Sequence, residues 1–430
     1  MSKNGWAWGL VLMGGAGFPA GACDVWGPLA AGDLKGVKSC VDSSNVNVLS
    51  GTDSPLTAAA KFAFRDPADI VTVLLDEGAK INFQGEEKRT ALMNASGKGW
   101  SQSVDLLLKK GADVRPRDAN GRTALMYAGD AYTSAIIDQL LAAGAKASDA
   151  DADGRTPLMA AVVQVRKMGP AGEIERAKTI DRLLAAQADI NARDKEGKTA
   201  LMLAAESGQS EAVRKLLAAK ASVNLQSKDG RTALQHALFA DKGPESKLLM
   251  EAGADINLAD AEGRTPLMSV LDWRRDALVD ELLNRNADVN RKSNEGKTAL
   301  MEAVEARRED YIQKLMQHKA QINLQNKAGD TALMIAARLN SAEKCVKTLL
   351  RYTPNITLKN AAGKTALAIA EEAHHAESVF FLRAQRDSGA AGKKTTDSNA
   401  GSRPGPRSGG SKSFLSNKSG NAKSSGTPAR

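Results

Sequence analysis

Asp118-Ala119-Asn120-Gly121-Arg122-Thr123-Ala124-Leu125-Met126 sets a polar glycine turn directly before an Ala-rich apolar run, with a threonine at the junction. The Thr123 hydroxyl is placed to take up an orphan amide of a first helical turn. The same pattern returns as Asp260-Ala261-Glu262-Gly263-Arg264-Thr265-Pro266-Leu267-Met268. Here Pro266 takes the first helical position, where a missing N–H costs nothing. Thr-Ala/Pro-Leu begins at Thr90, Thr123, Thr156, Thr199, Thr232, Thr265, Thr298, Thr331 and Thr365, after a variant at Ser54-Pro55-Leu56. Successive spacings are 36, 33, 33, 43, 33, 33, 33, 33 and 34 residues, a repeat array rather than chance.

Each period continues alike. A short Ala-rich helix such as Leu201-Met202-Leu203-Ala204-Ala205 is followed by a second helix carrying Val213-Arg214-Lys215-Leu216-Leu217. Gly111, Gly144 and Gly253 then supply a left-handed cap. No single unit can cover its own apolar face, so the units must stack into one core. These residues resemble the ankyrin repeat, and Leu29 to Val41 resembles a first, incomplete unit. The resemblance spans Asp24 to Arg383. It implies an all-α solenoid of about ten full helix pairs with projecting β-turn fingers, curved into a concave surface that binds other proteins without catalysis.

Departures from the family pattern are informative. The turn His of the family is Met at Met93, Met126, Met159, Met202, Met268, Met301 and Met334. Inter-repeat cohesion is therefore expected to rest on soft apolar packing, with the Met column filling the core. Lys88 stands where a finger Gly is usual, and Gln187, Lys220 and Lys319 replace the cap Gly, at about 1 kcal/mol each if the left-handed turn persists. Arg166 to Glu175 reads as a ten-residue insertion in a loop. Asp241-Lys242-Gly243-Pro244 is expected to shorten a second helix, with Ser246 in a Val place, making that unit the least stable.

The ends differ from the array. Residues 1–22 have the three-part build of a secretory signal peptide, with an A-x-A site before Cys23. That predicts an extracytoplasmic protein, periplasmic or secreted; the alternative is a plain cytoplasmic N-terminus. Residues 384–430 form a Gly/Ser-rich tail read as disordered. From Asp387 onward it holds eight basic and two acidic residues, most of the chain's net +9. Such a tail either solubilises or attracts an anionic surface. Cys40 is a small apolar side chain in a Leu place, or pairs with Cys23 once the leader is cleaved; Cys345 is left over.

Overall composition, 42% apolar, 25% charged and 4% aromatic, suits a helical globular chain, and no apolar run reaches a membrane span. Raw material for catalysis is scarce. Gly197-Lys198-Thr199 and its two analogues lack the earlier glycine of a phosphate-binding loop, and Asp149-x-Asp151-x-Asp153-Gly154 has Ala160 where calcium needs Glu. No cofactor or metal is expected, no sequence-specific nucleic-acid contact, and a monomer. The finger residues Arg89, Arg122, Arg155, Lys198, Arg231, Arg264, Lys297 and Lys364 make a basic column, partly neutralised by adjacent aspartates. Partner contacts are expected at first-helix ends of the later units: Phe239, Trp273, Arg274, Arg307, Arg338 and Leu339, where Trp and Arg are the types most enriched at hot spots. The reading is a non-catalytic scaffold binding another protein on the concave face. The alternative is an envelope-associated or anionic-polymer-binding protein held by its tail.

Overall fold

Short apolar runs behind threonines become short helices, and each is followed by a partner helix. Thr199 Oγ1 accepts the Met202 N–H as expected, at 3.4 Å. The cap bond expected of Thr123 does not form: its hydroxyl is buried and unbonded, and Thr298 makes no side-chain cap bond either. The computed structural model describes residues 24–163, 169–272 and 275–397. Among them are twenty-two α-helices and no β-strand. The proposed leader, Trp273, Arg274 and the tail beyond Asp397 lie outside the described residues. The helices form eleven pairs, an incomplete first unit (Trp26–Ala31 with Leu34–Cys40) and ten full ones, such as Ala200–Glu206 with Ser210–Ala218.

Burial follows from the patterns. In Ala200–Glu206, Leu201, Met202, Ala204 and Ala205 are at most 1% exposed, because this helix is flanked on several sides. Ser210–Ala218 buries only the stripe Ala212, Val213 and Leu216. The buried residues form one contiguous cluster from Val25 to Leu382. The Met column is core, with every member at 1% exposure or less.

Cohesion is not left to apolar packing alone, contrary to the expectation from the missing His. Successive fingers are joined by backbone bonds: Ala152 N–H to Asn120 C=O (2.8 Å), Lys195 to Asp153 (2.7 Å) and Lys228 to Glu196 (2.8 Å). An asparagine ladder runs beside them. Asn191, Asn224, Asn257 and Asn290 each accept, at 2.7–2.9 Å, the backbone N–H of the residue 31 positions later. Backbone donors thus do the joining, and backbone donors do not depend on side-chain identity.

Backbone strain falls where glycine is missing. Gln187, Lys220 and Lys319 keep φ of 58°, 64° and 65°. Lys88 also sits at φ 59° in its finger. By contrast Gly230, at φ 74°, is required: a Cβ there would lie 2.3 Å from the amide nitrogen of Ala261 in the next finger.

Four further expectations are corrected. Much of the insertion is helix rather than loop. Pro170–Ala185 has sixteen residues against nine in Ser210–Ala218; Pro170 starts it, and Arg176, 1% exposed, stacks on Tyr132 at 4.5 Å. Residues 164–168 lie outside the described residues. The unit after Phe239 keeps a full nine-residue helix, Gly243–Glu251, because Pro244 falls in the first turn, where no N–H is needed. Buried Ser246 donates its hydroxyl to the Lys242 carbonyl at 2.8 Å. Cys40 is not a buried apolar filler but is half-exposed and disulfide-bonded. Helix Ala376–Asp397 continues the final unit past Arg383.

Lys220→Gly is expected to raise stability by about 1 kcal/mol, because it removes a left-handed non-glycine residue. Gly230→Ala should lower stability by more than that. Urea denaturation followed by circular dichroism measures both; no gain from Lys220→Gly would place that cap in another conformation.

Candidate functional site: the face of fingers and first helices

One spacing organises the exposed face formed by finger roots and first helices. The residue before each cap Thr (or Ser54) faces the residue eight positions later, at the far end of the same first helix. Seven helical residues rise about 10 Å, which a long cationic side chain spans by lying back along the helix. Lys198 Nζ meets Glu206 Oε2 at 2.6 Å, Lys297 meets Glu305 at 3.0 Å, and Arg264 meets Asp272 at 3.2 Å. Arg122–Asp130 and Lys364–Glu372 repeat the clasp. Two units reverse the signs: Asp53 with Lys61 (2.9 Å) and Asp330 with Arg338 (2.7 Å). In another, the Arg231 guanidinium lies 4.7 Å from the Phe239 ring centroid. Only the units of Arg89 and Arg155 lack the clasp, because their eighth places hold Gly97 and Val163.

The basic column is therefore not a strip of free charge. Five of its members meet carboxylates of their helix ends, and Arg89, Arg231 and Lys297 also lie against Glu87, Asp229 and Glu295 of their own fingers. The finger aspartates are engaged in the turns: Asp118 Oδ1 accepts the N–H groups of Asn120 and Arg122, both at 2.8 Å. Partly exposed pairs of this kind contribute about 0–1 kcal/mol each, so they tune the face more than they hold the fold.

The residues expected to contact a partner divide. Phe239 is 48% exposed on this face, beneath Arg231. Arg338 is committed to Asp330. Leu339 caps its helix and packs partly against the core. Arg307 is exposed but occupies the left-handed cap position at φ 56°, where Gly99 and Gly208 stand in other units. Trp273 and Arg274 lie outside the described residues. Sequence reasoning passed over the early units, where the two missing clasps open cavities. One, of 450 Å³, is lined by Lys61, Phe62, Arg89, Gly97, Lys98 and Tyr127 among others. The next, of 480 Å³, shares Asp130 and extends to Arg155 and Val163. The signal was present: the charge at a finger root predicts the opposite charge eight residues on; Gly97, Val163 and Phe239 break the rule, and of these Phe239 still meets its finger cation through its ring.

Buried titratable groups lie along the same helices. Burial holds the His236 imidazole below its ordinary range; its Nε2 lies 3.0 Å from Ser227 Oγ. Burial pushes the carboxyls of Asp130 and Glu302 up.

Replacing Lys198 by Glu and Glu206 by Lys together is expected to restore most of the stability that either single reversal removes, a coupling of about 0.2–1 kcal/mol in a double-mutant cycle. No coupling would mean that the pair does not form in solution. Because the folded chain keeps His236 neutral while the unfolded chain protonates near pH 6.5, its contribution is lost as pH falls below about 6.5. The stability difference between the parent and His236→Gln should therefore change as pH drops from 7.5 to 5.5, and equal pH profiles would exclude that contribution.

Eleven stacked helix pairs, finger-to-finger bonds and the threonine caps agree with an independent comparison. A family model described as ankyrin repeats (3 copies) matches residues 56–148, 171–260, 240–326 and 310–394. No curated protein matches the chain significantly. No described helix is long and apolar enough to cross a membrane. Ankyrin repeats are generally protein–protein interaction modules and typically non-catalytic. With the matches spanning most of its length, this chain belongs to the ankyrin-repeat family.

Proposed function

We propose that the chain is a non-catalytic scaffold that holds a partner protein on the concave side, where fingers and first helices meet. The observation that carries this reading is the surface itself. Charges there are mostly satisfied in cis, while aromatic and cationic side chains such as Phe239 and Arg307 stay exposed between the clasps. Desolvating a surface already paired internally leaves few unpaired charges, which favours association over a reaction centre. We also assign the protein to an oxidising, extracytoplasmic compartment. The disulfide-bonded Cys40 supports this, as does the signal-like start. Cys345 stays a free buried thiol, its pKa pushed up to about 11 by burial, which keeps it unreactive.

The test is affinity capture with the full chain and identification of the retained protein. Phe239→Ala with Arg338→Ala is expected to weaken capture about tenfold or more. Arg307→Gly removes that side chain without straining its left-handed backbone. Arg214→Ala, on an exposed second-helix site, is the unaffected control. Capture that survives every inner-face change but vanishes on deleting 398–430, with a steep salt dependence, would favour the tail-held alternative.

A further inference from the structure

Five units of this chain place a finger cation against a carboxylate from their own helix end. Arg89 has the cation's place without that carboxylate, since Gly97 carries no side chain. Arg89 instead pairs with Glu87 within its finger and lies over the Tyr127 ring at 5.1 Å, with its Nε buried and unbonded. The cavity over Gly97 is lined by three cations, Lys61, Arg89 and Lys98, against the single acid Asp130; Lys61 is already held by Asp53 and Glu86, which leaves Arg89 and Lys98 as the cations a ligand would meet. Lys98 has no ion pair among the described residues, whereas Asp130 is already clasped by Arg122. Phe62, 43% exposed, forms an apolar part of the wall, and Phe64 stands beside it in sequence at 96% exposure.

The adjoining cavity has the opposite balance. Asp130, Asp151 and Asp153 line it together with Arg122 and Arg155; Asp130 is paired with Arg122, and Asp153 lies 3.8 Å from Lys195 Nζ. Arg155 makes no ion pair among the described residues, but its charge acts on Asp130 and Asp194. A second carboxylate would be repelled there, and a cation would be drawn in. Met159 and Val163 supply an apolar lining below.

We propose that this early-unit groove receives one extended segment of the partner protein that carries a carboxylate and, about five residues away, a cation. Its carboxylate takes the place that a helix-end Asp or Glu fills in the clasped units, against Arg89 and Lys98. A Lys or Arg of the same segment enters the acid-rich cavity beyond Asp130. The two cavities are centred roughly one and a half helix layers apart, about 15 Å, which an extended chain crosses in about five residues. An apolar residue beside the carboxylate covers Phe62. The chain's own residues 398–430 do not meet this description, having six cations and no Asp or Glu. The proposal rests on the partner-binding reading and specifies one segment of that partner.

Synthetic nine-residue peptides and the full-length chain test it by fluorescence anisotropy up to millimolar concentration. One peptide carries Leu-Glu near its start and Lys five residues after the Glu; a second has Lys at both charged places; a third has Gln at both places. The first is expected to bind at least about tenfold more tightly than the others, with binding that weakens as salt rises. Gly97→Asp closes the gap in cis, as Asp130 does beside Arg122, and should reduce that affinity about tenfold with an unchanged circular dichroism spectrum. Arg89→Gln should do the same, and it guards against misfolding of the first variant, whose Cβ would lie 3.2 Å from the Tyr127 ring. Equal binding of the three peptides, absence of binding, or full affinity in both variants overturns the proposal. So does tighter binding of a 398–430 peptide, or self-association in sedimentation that Gly97→Asp abolishes. Loss of captured partner in the Phe239 and Arg338 variant, with capture and peptide binding unchanged in Gly97→Asp, overturns this inference alone.

Discussion

A helix pair of this protein leaves much of its apolar surface uncovered until the next pair is laid against it. Leu201 and Met202, for instance, reach 1% exposure only because helices of the flanking units close over them. Contacts are therefore between neighbours in sequence, and the core grows along the chain instead of around a centre. A stack of this kind makes a long face, not an enclosed chamber. Any function has to be read from what that face displays.

Two kinds of polar contact repeat along the stack, and only the first joins one unit to the next. Bonds between fingers use backbone donors and a repeated asparagine, so they tolerate changes such as Met for the family's turn His. The clasps along the inner face use side chains alone. They have reversed their signs in two units and become a cation–ring contact in another, without disturbing the helices beneath. Backbone bonding thus carries the regularity, while the clasp column is free to vary.

The same division explains where the structure departs from the simple repeat. Strain at Gln187, Lys220 and Lys319 is accepted because the left-handed turn is needed to start the next finger, whatever residue stands there. Arg176 is harder to place energetically. It is almost wholly buried, with two of its nitrogens unbonded. Its ring contact with Tyr132 and its pair with Glu173 offset part of that cost, and they anchor the extra helical turns that the insertion adds.

Period, caps and finger glycines were legible in the residues, because each is a local requirement of the backbone. Thr199 needs only the amide three residues on, and Gly230 needs only its own positive φ and the next finger. The core was legible for the same reason, through Leu and Met at fixed places in each unit. What the inner face exposes was harder to read. Arg338 looked like a free cation until Asp330 came to lie against it, and Arg307 looked like a contact residue though it holds a cap position. Gly97 and Val163 carry no charge to meet Arg89 and Arg155, and at those two places the face opens. By itself the sequence determined the stack, since burial there repeats with the chain. Only the tertiary structure decided which charges are satisfied and where the face opens, because pairing depends on side chains brought together across the length of a helix.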